Sequence, residues 1–173
     1  FVANTGAYGA VGLRGVAAGE VPVGSVANTL VYGNDSIATS GGIFAIGNVE
    51  LALSNSILWG NLGILSVEGD QLALFSGSTA EVNYCDINGW TGLLGGRGNF
   101  FALPQFIDPD GLDGVLGTAD DDFTLQPTSP CLDRGNNSLV LPDFADLDED
   151  GDTIEVTPFD LLGNRRLIED LAS

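Results

Sequence analysis

Two nine-residue blocks constrain this chain more than any other feature. Val26-Ala-Asn-Thr-Leu-Val-Tyr-Gly-Asn34 and Leu53-Ser-Asn-Ser-Ile-Leu-Trp-Gly-Asn61 match position for position, and Asn28 and Asn55 stand 55 − 28 = 27 residues apart. Val2-Ala-Asn-Thr5 echoes Val26-Ala-Asn-Thr29 at a spacing of 24, and Val82-Asn-Tyr-Cys-Asp-Ile87 reads as a degenerate later copy. Self-similarity at such periods means supersecondary units that stack, because one unit cannot bury its apolar face alone. Between the blocks lie short β-favouring runs: Gly42–Ile46, Val49–Leu53, Ile64–Val67 and Gln71–Phe75, each bounded by Gly, Asn, Asp or Ser. Glycine density, 25 residues of 173, argues against a helix of three turns. The expected fold is therefore all-β, a right-handed parallel β-helix (solenoid) whose strands advance by roughly 4.8 Å per coil. In it the aliphatics stack inward, repeated asparagines bond one another at a shared bend, and Gly41-Gly42 makes a corner with positive φ. A β-sandwich is the alternative, but it gives no reason for matching blocks 27 residues apart.

Composition removes most catalytic chemistry. There is no His, and all five basic residues are arginines. The usual general base, the Ser-His-Asp triad and Schiff-base lysines are excluded, and zinc sites have only Cys85 and Cys131 for soft ligands. No phosphate-binding or dinucleotide fingerprint occurs among the glycines. No apolar run approaches the roughly 20 residues of a spanning helix, so no membrane insertion is expected. With Phe1 first and no methionine, the chain reads as processed, excised or a fragment. What remains is carboxylate, hydroxyl and amide chemistry.

Charge divides the sequence. Residues 1–107 carry seven acids and two arginines, 2 − 7 = −5; residues 108–173 carry 17 acids and three arginines, 3 − 17 = −14; the total is −19. So acidic a chain has no footprint for nucleic acid, and its second stretch repels itself unless something neutralises it. The reading divides the chain into β-helix coils over 1–107, then acidic, loop-rich, calcium-binding loops and closing strands over 108–173.

Four segments, taken in order, carry a resemblance: Asn55-Ser-Ile-Leu-Trp-Gly-Asn61, Phe106-Ile-Asp-Pro-Asp-Gly-Leu-Asp-Gly114, Asp122-Phe-Thr-Leu-Gln-Pro-Thr-Ser-Pro-Cys-Leu-Asp-Arg-Gly135 and Asp160-Leu-Leu-Gly-Asn-Arg-Arg166. Over roughly 26–168 they resemble the carboxyl-terminal region of secreted, pectin-lyase-like parallel β-helix repeat proteins of environmental bacteria, many of them adhesin-like. The resemblance implies a fold and an extracellular or cell-surface location more firmly than an activity. Members usually continue to a closing strand ending Gly-Ala-Tyr, which is missing after Arg166, whereas Thr5-Gly-Ala-Tyr8 occurs at the start.

The acidic loops hold the sharpest chemistry. Asp146, Asp148, Asp150 and Asp152 occupy positions 1, 3, 5 and 7 of an EF-hand-like loop, with Gly151 at 6 for the turn. Alternate carboxylates converge when such a loop curls around Ca²⁺. Position 12 is Thr157, so Glu155 or Asp160 is expected to supply the missing carboxylate. Asp108, Asp110 and Asp113, with Asp120, Asp121 and Asp122, form a second candidate across the loop Gly114–Thr118, since three successive aspartates repel by energies of kcal/mol order without a cation.

Cys85 and Cys131 read either as a disulfide or as two small buried residues. Tyr32 and Trp59 occupy equivalent repeat positions and read as a stacked ladder, leaving Trp90 as the candidate sugar-binding ring. The leading expectation is a non-catalytic extracellular structural protein, a Ca²⁺-stabilised subunit of a surface fibre, adhesin or layer. Its self-association into a filament would run head to tail, with Phe1, Val2 and Tyr8 donating a strand to a neighbour. The alternatives are a calcium-dependent carbohydrate-binding module and, behind it, a polysaccharide lyase or hydrolase. A lyase needs an Arg or Lys base beside Ca²⁺, yet only Arg14 and Arg97 lie in the repeats. No pair of carboxylates is singled out for hydrolysis.

Overall fold

The computed structural model describes residues 1–15, 20–157, 159–160 and 163–165; Leu161, Leu162 and Arg166 of the last resembling segment lie outside them. The chain forms two compact units, Phe1–Gly135 and Asn136–Ser173. Among the described residues the structure is β-rich, with two short turns of helix.

In chain order the strands are β1 (Thr5–Gly6), β2 (Val11–Arg14), β3 (Val23–Ala27), β4 (Leu30–Tyr32), β5 (Asp35–Ser36), β6 (Ile43–Ile46), β7 (Glu50–Ser54) and β8 (Ile57–Trp59). After α1 (Val67–Gln71) come β9 (Leu72–Phe75), β10 (Thr79–Asn83), β11 (Asp86–Ile87), β12 (Phe106–Asp108) and β13 (Asp122–Leu125), and η1 (Asn137–Leu139) is a 3₁₀ turn. Three parallel three-stranded sheets dominate the first unit: β2-β6-β9, β3-β7-β10 and β4-β8-β11. Each successive pass of the chain gives one strand to each sheet in the same order.

The pairing explains the sequence periodicity. Along β7 exposure alternates, Glu50 and Ala52 out, Leu51 and Leu53 in. Val26, Leu53 and Val82 stand in one register row, and Val31, Leu58 and Ile87 in another. Val31, Leu58 and Ile87 are each 0% exposed. Burying each such side chain stabilises by about 1.5–3 kcal/mol. On the outer face Tyr32 and Trp59 are register partners, as equivalent repeat positions require. Their rings are covered by chain that follows the repeats: Phe106 and Phe123, on the antiparallel pair β12-β13, meet Tyr32 at 5.5 and 5.4 Å, and Phe101 meets Trp59 at 5.4 Å.

The two asparagines of each block do different work. Asn28 and Asn55 hold φ of 51° and 48° at the bends β3–β4 and β7–β8, a left-handed conformation Asn tolerates, and Tyr84 takes the same bend before β11 at 55°. Asn34 and Asn61 are instead buried and build a ladder of side-chain amides. Asn4 Nδ2 donates to Asn34 Oδ1 (2.8 Å), Asn34 Nδ2 to Asn61 Oδ1 (2.8 Å), and Asn61 Nδ2 to Gln71 Oε1 (2.7 Å). Gln71 Nε2 closes the row by donating to Asn61 O and Val67 O.

Three expectations change. Residues 2–5 do not lie on 26–29: Val2 bridges Tyr32 and Thr5 pairs with Asp35, so Asn4 sits 30 residues from its ladder neighbour Asn34 rather than 24 from Asn28. The ladder decides this register, because it gives Asn4 a polar partner. Ile64–Val67 is not a strand; Ser66 accepts from Gly69 N (3.2 Å) and starts α1, with Glu68 and Asp70 in its first turn. Gly41 and Gly42 are absent from the residues with positive φ, and what demands glycine there is the close approach of backbone from neighbouring passes.

Asp86 is the most deeply buried acid of the strands, 2% exposed, and links β11 to later chain: Oδ1 accepts from Ala102 N (3.1 Å) and Oδ2 from Cys131 Sγ (3.1 Å). Both cysteines are free thiols, and Cys85 Sγ faces Asn83 O at 3.2 Å. Burial pushes both thiols up to about 12, which leaves them protonated and poor nucleophiles at neutral pH. Burial also raises Asp86 above its ordinary 3.8, against the lowering effect of its two donors. A raised carboxyl contributes stability that is complete below 3.8 and is lost as pH rises through the higher folded value. Asp86→Asn should therefore flatten the decline in stability just above pH 3.8, read as urea midpoint against pH; an unchanged slope would remove Asp86 from that account.

Candidate metal centre

The second unit contains a loop closed at its neck by antiparallel backbone contacts. Pro142 bridges Val156, Asp143 N donates to Glu155 O (2.8 Å), and Thr157 N donates to Leu141 O (3.0 Å). Closure brings Asp143 and Glu155, twelve positions apart, to the same place. Inside, the acidic residues turn the chain by accepting from its own amides. Asp143 Oδ2 accepts from Leu147 N (2.7 Å), Asp146 Oδ1 from Gly151 N (3.1 Å), Asp150 Oδ1 from Asp152 N (2.7 Å) and Asp152 Oδ1 from Ile154 N (3.0 Å). Asp146, Glu149 and Gly151 hold positive φ, which curls the segment.

Two carboxylate groups result. Asp143, Asp148 and Glu155 each place an oxygen within 4.8 Å of the others, and so do Asp146, Asp148 and Asp150. Asp148 belongs to both groups. Either arrangement could hold a metal ion, since oxygens bound to one hard cation at roughly 2.3–2.6 Å lie at most about 5 Å apart. The first has the more distinctive environment. Asp143 is 2% exposed, and Glu155 Oε1 is buried without a hydrogen-bond partner. Its burial, and then the charges of Asp148, Asp150, Asp152 and Asp143, raise the Glu155 carboxyl above its ordinary 4.5. A buried, unbonded carboxylate oxygen beside other carboxylates is costly unless a proton or cation meets it.

Of the residues expected in this loop, Asp146, Asp148 and Asp150 are brought together as the alternation requires, and Glu155 joins Asp148 through Asp143. Asp152 stands outside both groups. Asp160 is turned to Asn164, accepting from its N (2.8 Å) and its Nδ2 (3.2 Å). Asp143 was not among the expected ligands, because it precedes the alternating run and its place depends on the loop closing. Its signal was slight: an acid after Pro142, three residues ahead of Asp146.

The acids of 108–122 are arranged differently. Asp108 and Asp122 face each other across β12-β13. Asp120 Oδ2 accepts from Leu112 N (2.8 Å) and Asp113 N (3.3 Å), Asp121 Oδ2 from Gly117 N (2.7 Å), Asp113 Oδ1 from Val115 N (2.8 Å) and Asp122 Oδ1 from Thr124 N (2.8 Å). Thr118 Oγ1 lies 2.7 Å from Asp120 Oδ1 and 3.3 Å from Asp121 Oδ1. The Thr118 hydroxyl, foremost, holds Asp120 below its ordinary value, and Thr124 does the same for Asp122. Asp110 touches the chemistry only by raising the half-buried Tyr32 phenol, after burial itself. Among the described residues no three carboxylates of this loop converge as those of 143–155 do; backbone amides and the side chains of Thr118 and Thr124 answer their mutual repulsion.

The remaining candidates are placed as follows. Trp90 is half-buried and packs against the core. Phe1 and Val2 are seated on their own chain: the Phe1 ammonium donates to Leu30 O (3.0 Å), Tyr32 N donates to Phe1 O (3.0 Å) and Ala3 N to Tyr32 O (3.2 Å). The exposed Tyr8 ring lies 5.8 Å from Phe44, with the Arg14 guanidinium 5.0 Å above it. No helix among the described residues is long and apolar enough to cross a membrane. Compared with known protein families, curated proteins and solved structures, the chain matches none.

Proposed function

We propose that the chain is a non-catalytic structural element of an extracellular or cell-surface assembly, a right-handed parallel β-helix carrying an acidic unit held in shape by Ca²⁺. The β-helix reading is supported by three sheets that each receive one strand per pass in constant order, and right-handed crossovers are the rule for parallel connections. The family resemblance points the same way for fold and location. The site outside the sheets is a cation cradle rather than a catalytic constellation. The observation that carries this is Glu155: a buried oxygen without a hydrogen-bond partner, within 4.8 Å of Asp143 and Asp148 oxygens. Oxygen-only, anionic ligands suit Ca²⁺, which takes six to eight oxygens, better than softer ions. Self-association belongs to the same reading, because the edges of stacked strands invite further strands. Donation of residues 1–8 to a neighbour would first have to draw residues 1–6 off β4 and β5.

Calorimetric titration tests the site. Ca²⁺ should bind with a dissociation constant of roughly 10⁻⁴–10⁻³ M, the range of extracellular modules. Asp143→Asn and Glu155→Gln should each weaken it at least about tenfold, the loss of a charge-assisted ligand. Chelator should raise amide exchange in 143–157 while leaving β6, β7 and β8 protected. No Ca²⁺ heat, with exchange in that loop indifferent to chelator, would reject the reading.

A further inference from the structure

One corner of the first unit is built inside out. Where the chain leaves β5 for β6 and β8 for α1, the residues turned inward are polar: Ser36, Ser40, Asn61 and Gln71 are each at most 2% exposed. Bonds hold them there rather than apolar packing. Asn61 and Gln71 belong to the amide ladder, Ser40 Oγ donates to Asp70 O (2.8 Å), and Ser36 Oγ accepts from Thr39 N (3.1 Å). With the interior so occupied, the aliphatic residues of the corner face water. Ile37, Leu62, Ile64 and Val67 are 77, 63, 64 and 58% exposed, and Leu65 is exposed with them.

These side chains share one surface. Ser36 N donates to Leu62 O (3.0 Å) and Ile64 N to Thr39 O (3.2 Å), which lays 35–39 against 62–64. Leu65 N donates to Asp70 Oδ1 (2.9 Å), fixing the turn ahead of α1. Val67 lies against the following pass, since a β-carbon at Gly89 would stand 2.8 Å from its Cγ1. β1 flanks the corner on one side and the turn at Thr91 on the other, so it belongs to the middle of the stack. Contiguous exposed apolar surface marks a contact site on a folded domain. The turns beneath it are already fixed, so little backbone has to be ordered on contact.

Charge selects the occupant. Residues 15–96 carry seven acids and no basic residue, 0 − 7 = −7. The exposed Asp35 is the register partner of Leu62, and Glu68 follows Val67 with its two oxygens on Thr91 N (3.1 Å) and Oγ1 (2.6 Å). A β-carbon at Gly33 would run into Leu116, so the loop bearing Asp113, Asp120 and Asp121 stands close by. A second copy brings its own −19 to this place and is repelled, as is an anionic membrane. An occupant with aliphatic side chains and positive charge complements the corner on both counts.

We propose that the corner formed by 35–39 and 62–67 docks a basic, aliphatic-rich segment of another protein. Leu62 and Ile64 form the centre of the contact, and Asp35 and Glu68 meet cations at its rim. The contact needs no Ca²⁺.

Calorimetry on the full chain tests it with two synthetic amphipathic helices, one of Leu and Lys and one of Leu and Glu. The lysine peptide should bind with or without chelator, more weakly as salt rises, and the glutamate peptide should not bind. Leu62→Ser and Ile64→Ser should each weaken binding at least about tenfold with melting temperature unchanged, as loss of a central apolar contact does. Ile154→Ser is the control: Ile154 is 85% exposed between Asp152 and Glu155, an equally acidic setting in the second unit, and its loss should leave binding unchanged. No binding, an equal loss from Ile154→Ser, or binding of both peptides alike would overturn the proposal. So would a concentration-dependent dimer, or adsorption to phosphatidylcholine vesicles, that Leu62→Ser abolishes, because another copy or a membrane would then be the occupant.

Discussion

Asn61→Ala is expected to cost about 4 kcal/mol, a large share of the net stability of an ordinary domain, which is roughly 5–15 kcal/mol. The side chain makes four bonds in a setting where nothing can replace them. Its Oδ1 accepts from Asn34 N (3.1 Å) and Asn34 Nδ2 (2.8 Å), and its Nδ2 donates to Val31 O (2.9 Å) and Gln71 Oε1 (2.7 Å). Asn61 is 2% exposed, Asn34 1% and Gln71 0%. Each buried group stripped of its partner costs about 1–3 kcal/mol, and these losses share neighbours and do not simply add. Asn4→Ala removes the exposed end of the same row, where water replaces the lost bond, and should cost under about 1 kcal/mol. Urea unfolding of the two variants measures the contrast. Equal losses would mean that the ladder does not act as a buried network.

The blocks announced this arrangement because stacked asparagines have to recur at one position of the repeat. What the sequence did not show is that the two asparagines of a block serve separate ends, one a left-handed bend and one the ladder. Both are written with the same letter, and only register tells them apart. The same limit misplaced residues 2–5: Val-Ala-Asn-Thr matches Val26–Thr29 by letters, yet Ala3 occupies the left-handed position of Gly33 and Gly60, with φ of 52° against 62° and 66°. Ile64–Val67 misled for a different reason. Its aliphatics suit a strand, but Ser66 in front of two acids caps a turn of helix, and Gln71 at that helix's end supplies the amide that finishes the ladder.

The acidic loop was legible as far as its local alternation reached. Asp146, Asp148 and Asp150 converge because positions two apart in a curled loop point to one centre. Asp143 and Glu155 meet because Leu141–Asp143 pairs with Glu155–Thr157, a contact between residues twelve to sixteen apart that no spacing rule contains. In 108–122 the repulsion between adjacent carboxylates does not by itself call for a cation. Backbone amides answer them as well, because tight turns leave amide donors unpaired and short acidic side chains reach them. Density of acids is therefore a weaker sign of a metal centre than an acid left without a donor.

Gly41→Ala should be nearly as damaging as loss of Asn61, for a steric reason. A β-carbon at Gly41 would run into the carbonyl oxygens of Leu62 and Asn34 and approach Leu62 N at 2.9 Å. Those atoms are themselves bonded, Leu62 N to Asn34 O at 2.8 Å, and Gly41 O accepts from Ala10 N at 2.9 Å. The methyl group would have to push neighbouring passes of the chain away from each other beside the ladder. Backbone on both sides cannot rotate away as a side chain can, so the cost should reach or exceed about 3 kcal/mol, the upper end of the range for overpacked sites. Gly6→Ala is the control: the nearest atom would be Tyr8 O at 3.6 Å, an ordinary contact, and φ there is not positive. That variant should stay within about 0.5 kcal/mol of the parent, as surface substitutions do, or gain slightly from a less flexible unfolded chain. Thermal melts of both proteins compare them directly. A Gly41→Ala protein that melts with Gly6→Ala would show that the passes are not packed at this corner as closely as the structure has them.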